Sequence, residues 1–124
     1  MKKIALMVAL VSFSMAMKCE SVAIQVGKKG VVVINKKTKP MIEKAIGPLL
    51  HMKLEQNKKS VEVYFDNNIT AKFNYLDTQK NFKRFVTKDG VLLVNDKNES
   101  EVILVLSVKD KNTTTMLGIF YNCK

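Results

Sequence analysis

The chain has 124 residues, of which 21 are Lys or Arg and 11 are Asp or Glu, a formal charge of +10. Its length fits a single domain, and a 47% apolar share excludes a chain too polar to bury a core. The basic excess points to acidic proteins or anionic surfaces as partners.

Lys2 and Lys3 precede an apolar run from Ile4 to Phe13, and Ser14-Met15-Ala16 places small residues where a signal peptidase reads them. This is the pattern of a bacterial export signal, and the run is well short of the ~20 residues that span a bilayer. Residues 1–16 are therefore expected to be a signal peptide. Residues 17–124 are expected to be one secreted, β-rich domain in a periplasm or outside the cell, with no transmembrane segment. Lys18 occupies the position before Cys19 where lipid attachment needs a small residue.

Cys19 and Cys123 are the two cysteines of the chain. An oxidising compartment favours a disulfide between them, with a structural role. Without its first two lysines the chain keeps 19 bases against 11 acids, a formal +8, and every base but Arg84 is lysine. Lysine attracts anions at range without the bidentate geometry of arginine.

In chain order, Val22, Ile24 and Val26 alternate with polar or small residues, which predicts a half-buried strand. Gly27-Lys28-Lys29-Gly30 reads as a turn, and the β-branched Val31–Ile34 as a second strand covered on both faces. The period then changes. Ile42, Ala45, Ile46, Leu49, Leu50 and Leu54 form one helical stripe, started by Thr38 and Pro40 and kinked at Gly47-Pro48.

Strand alternation returns after Asn57-Lys58-Lys59. Val61, Val63 and Phe65 form one strand; Ile69, Ala71, Phe73 and Tyr75 form its hairpin partner across Asp66-Asn67-Asn68. Phe82–Val86 follows, with Phe82 and Phe85 as its inward candidates and the bases outward, and Lys88-Asp89-Gly90 turns into Val91–Val94. Val102–Val108 is the most apolar strand. Met116–Cys123 is the last, with Gly118 marking a bulge or a close approach. The expected fold is α+β, mostly β: an antiparallel meander of about seven or eight short strands, curled into a small barrel or a sandwich, with one kinked helical segment after the second strand.

No stretch carries a catalytic signature. His51 is a lone histidine placed off the helical stripe, and one histidine cannot build a zinc site alone. No nucleophile elbow and no glycine-rich phosphate loop is present. Asn81-Phe82-Lys83-Arg84-Phe85 interleaves aromatics and bases like a nucleic-acid stacking surface, but export removes such a partner. Sequons at Asn68, Asn98 and Asn112 fit chance in a chain rich in Asn and Thr.

The expectation is a small basic binding protein, not an enzyme, needing no cofactor or metal. It would act by protein–protein contact in the bacterial envelope as an inhibitor, immunity or exclusion factor with an acidic partner. The alternative is a protein that binds an anionic envelope surface, glycan or lipid, or a subunit of a secreted assembly. Nucleic acid is not an expected partner. Lys28, Lys29, Lys36, Lys37, Lys39, Lys58 and Lys59 are the candidate interaction residues.

Overall fold

The computed structural model describes residues 15–98 and 100–124. The elements are β1 (Met15–Val26), β2 (Val32–Val33), α1 (Lys39–Ile46), a 3-10 turn (Gly47–Leu49), β3 (His51–Gln56) and β4 (Ser60–Phe65). After a second 3-10 turn (Asp66–Asn68) come β5 (Thr70–Gln79), β6 (Phe82–Thr87), β7 (Gly90–Asn95), β8 (Glu101–Asp110) and β9 (Thr113–Cys123).

From β3 to β9 each strand pairs antiparallel with the next, as short turns between alternating segments dictate. The long strand β1 closes the sheet. Its first half pairs with β3, from Met15↔Gln56 to Glu20↔His51, and its second half with β9, from Cys19↔Cys123 to Val26↔Leu117. The result is an eight-stranded antiparallel barrel. β2 adds a short extra strand beside β1 through Ala23↔Val33 and Ile24↔Val32. Of the export signal expected over residues 1–16, all but Met15 and Ala16 lies outside the described residues. Those two open β1.

The barrel interior is packed core. Leu54, Val61, Val63, Phe73, Phe85, Leu92, Val94, Val102, Leu104 and Ile119 are all but inaccessible, as expected where eight strands leave just enough room for side chains. The Tyr75 and Phe85 rings meet edge to face at 5.5 Å. Each large apolar side chain so buried contributes roughly 1.5–3 kcal/mol. α1 adds Ile42 to this core, and Tyr121 of β9 donates its hydroxyl to the Leu49 carbonyl at 2.6 Å, tying the helical connection to the barrel.

Several local expectations are corrected. The helical stripe stops at Ile46: Pro48 has no N–H to continue it, Ala45 is exposed, and Leu54 lies on β3. Residues 50, 52 and 54 point inward with a period of two, and over so short a run that period overlaps a helical one. His51 is therefore a strand residue, exposed on the barrel's outside.

In β1 the alternation slips at a bulge between Ser21 and Ala23, so Ser21 turns inward and Val22 outward. The second strand is only two residues long and is not covered: Val31 is 53% and Val33 60% exposed. Of the two inward candidates on β6, Phe85 enters the core and Phe82 stays half-buried. Gly118 has no close neighbour; a Cβ there would meet nothing nearer than 3.9 Å. Gly90 is the crowded glycine, where a Cβ would lie 2.9 Å from Leu106 Cδ2 and 3.1 Å from the Val105 carbonyl oxygen.

Candidate functional site: the outer faces of the barrel

With the interior filled, any ligand of this chain meets the outside of the barrel or its rims. Strand direction separates the lysines singled out from sequence. Lys28 and Lys29 follow the end of β1. Lys58 and Lys59 follow the end of β3, which lies beside the start of β1. The two pairs are therefore at opposite ends of a strand ~35 Å long. Lys36 and Lys37 sit in the loop after β2, where the Asn35 Oδ1 accepts from the Lys37 and Thr38 amides at 2.9 and 3.0 Å. Lys39 opens α1. Five of the seven thus flank β2, and Lys58 and Lys59 stand apart from them.

The exposed valines of β2 form an edge, and the chain blunts it. Thr38 folds back so that its hydroxyl donates to the Val33 carbonyl at 2.7 Å, occupying an acceptor that another strand would use. Together with its brevity and the neighbouring lysines, this makes β2 a poor template for strand addition.

A broader apolar surface lies on β6–β9. Val86, Val91, Leu93, Ile103, Val105 and Phe120 all point outward and keep part of their surface in solvent. Register places them in rows: Leu93↔Ile103↔Phe120, and Val86↔Val91↔Val105. The usual antiparallel pattern puts polar residues on the outward face. Along these two rows the four strands are apolar on both faces instead, and charged or polar residues such as Arg84, Glu101 and Asn122 border them. The signal was present in the unbroken runs Val91–Val94 and Val102–Leu106, but their outward half has no meaning until the barrel is closed.

At the edge of that surface Arg84 grips Asp77 with two hydrogen bonds, Nε to Oδ1 at 2.6 Å and Nη2 to Oδ2 at 2.7 Å. The contact holds the Asp77 carboxyl below its ordinary range and raises the guanidinium. Lys83, one residue before, pairs with Asp96 at 3.5 Å. The bases of the Asn81–Phe85 segment are thus engaged by carboxylates, and Phe85 is core.

The outside of β9, β1, β3 and β4 is polar. Lys18, Glu20, His51, Lys53, Tyr64 and Asn122 line an open depression of about 570 Å³ there. Burial raises the Tyr121 phenol beneath the same strands, and the hydrogen bond Tyr64 donates to Glu62 at 3.1 Å raises its own. Charged residues outside these strands and an apolar interior reverse the arrangement of a membrane-spanning barrel. Among the described residues no helix is long and apolar enough to cross a membrane, and no group of three or more His, Cys, Asp or Glu side chains could hold a metal ion.

Cys19 and Cys123 are bonded to each other. They are register partners on β1 and β9, with Cα atoms 4.0 Å apart, so the bond crosses the line along which the barrel closes. Compared with protein-family models, with curated proteins and with solved structures, the chain matches none.

Proposed function

We propose that this chain is a small basic binding module that acts by protein–protein contact in the bacterial envelope, without catalysis, using the outer face of β6–β9. The observation that carries this reading is the row Leu93, Ile103 and Phe120, an apolar stripe across three neighbouring strands that stays partly in solvent. Contiguous apolar surface on a folded protein marks a place where something docks. A core filled by its own side chains leaves recognition to the outside. A formal +8 beyond Lys2 and Lys3 sets two copies of the chain against each other and favours an acidic protein. Inhibitor, immunity and exclusion factors have this form of function.

The test compares the oxidised wild-type protein with Leu93→Lys/Ile103→Lys as bait in envelope extract at moderate salt. The expected result is one acidic protein recovered at fixed stoichiometry by the wild type and lost with the variant, whose thermal melt shows that it folds. Equal recovery by both, or recovery of polysaccharide or lipid alone, rejects the β6–β9 face as the docking surface. A wild-type protein that dimerises in solution while the variant stays monomeric replaces the acidic partner with a second copy.

A further inference from the structure

The polar side of the barrel brings three lysines together. Just past the end of β9 and on the outside of β1 and β3, Lys124, Lys18 and Lys53 stand side by side in one row. Lys18 and Lys124 exchange both backbone hydrogen bonds, at 3.0 and 2.9 Å, and Lys18 is the register partner of Lys53. Adjacent strands are ~4.8 Å apart, so one small anionic group can reach neighbouring ammonium groups. Like charges directly opposite each other on a sheet face repel. At ion-pair distance only Lys53 is answered, its Nζ 3.9 Å from Glu55 Oε2; among the described residues Lys18 and Lys124 have no carboxylate that close, and the nearest acid along the strand, Glu20, stands in the adjacent row.

The next row gives the groove a second character. Asn122, Glu20 and His51 are register partners across the same three strands, and Tyr64 stands beside Lys53 on β4. Glu20 and Asp66 put negative charge into the same depression. A uniformly charged polymer such as a phosphodiester backbone is attracted by one row and repelled by the other. A ligand with an anion on one side and hydroxyls on the other suits both.

We propose that this groove binds a saccharide bearing a carboxylate or phosphate. The anion lies on the row of three lysines. Sugar hydroxyls donate to the Glu20 carboxylate and exchange hydrogen bonds with the Asn122 amide. The Tyr64 ring, tethered through its hydroxyl to Glu62, offers a flat apolar surface to the C–H face of a sugar. The site shares only β9 with the main apolar face, taking Asn122 there rather than Phe120, and does not depend on that face binding a protein.

Calorimetric titration of the oxidised protein at low salt tests this, with a galacturonic acid trisaccharide, a glucose phosphate, the neutral carboxyl-reduced trisaccharide and inorganic phosphate as probes. At least one of the two acidic sugars is expected to bind, and which one does identifies the anion. The neutral sugar should bind at least tenfold more weakly, and Lys18→Gln/Lys53→Gln should weaken the acidic sugar at least tenfold. Without ligand that variant should melt no lower than the wild type, since it removes a repulsion. Failure of both acidic sugars overturns the proposal, as does equal binding by the neutral sugar, or inorganic phosphate binding as tightly as the acidic sugars. Binding unchanged by the double substitution, or a variant that melts below the wild type, overturns the role of the lysine row.

Discussion

Arg84, the one arginine of the chain, is spent on register. β5 slips between Tyr75 and Asp77, leaving Leu76 51% exposed, and the Asp77↔Arg84 pair is the first after the slip. A planar guanidinium bonded twice to one carboxylate fixes the strand's position in a way that a lysine could not. The Asp77 carboxyl titrates below its unfolded value of ~3.9, so folding is favoured while it is ionised. That contribution is complete above about pH 5 and is lost as pH falls through the lowered folded value. Asp77→Asn is expected to lower the melting temperature at pH 7, with the gap to the wild type closing below pH 4 in a melt series. A gap independent of pH would show that the carboxylate's charge is not what matters.

At the scale of elements, the two strand glycines separate what spacing can show from what only packing decides. Gly90→Ala is expected to cost about 1–3 kcal/mol in chemical denaturation, because the new methyl group collides with Leu106 and the backbone of Val105. Gly118→Ala should stay within about 0.5 kcal/mol of the wild type. The sequence invited the opposite assignment, since Gly90 ends a turn signal while Gly118 interrupts a strand. Strand β4 was legible because Val61, Val63 and Phe65 keep a period of two, and β7 and β8 because Val91–Val94 and Val102–Leu106 are apolar runs bounded by turns. The β3 segment was not, because Leu50, Met52 and Leu54 follow a helical stripe and share its face by coincidence. The β1 bulge was hidden because Val22, Ile24 and Val26 alternate without a break, and only pairing to β9 turns Val22 outward. The row Lys124–Lys18–Lys53 was equally hidden. Its members come from three distant segments and are neighbours only through strand register. The disulfide could be read in advance, since two cysteines allow one pairing.

As a whole molecule, the domain is a sheet whose first and last strands meet, and its one covalent cross-link sits on that seam. The lysine pair beside it, Lys18 and Lys124, repels, and the bond at Cys19–Cys123 holds those strands together one residue away. Closing a loop of this length contributes about 4–5 kcal/mol in the chain-entropy treatment. Cys19→Ser/Cys123→Ser is expected to lose up to that amount. More is lost at low salt than at high salt, because screening relieves the lysine repulsion across a seam no longer clamped. A loss that does not depend on salt would separate the seam charges from the cross-link.

The same bond has a mechanical consequence. Tension applied through the two ends of the chain enters at Cys19 and leaves at Cys123, passing through sulfur and bypassing the 104-residue separation between them. Once residues 15–18 and Lys124 have peeled from their partners, the oxidised barrel behaves under load as a link of fixed length, and the hydrogen bonds between Cys19 and Cys123 carry none of the force. Pulled by its ends in a reducing buffer, the same chain can pay out roughly 35 nm of backbone. In an oxidising envelope this domain would transmit a pull without unfolding.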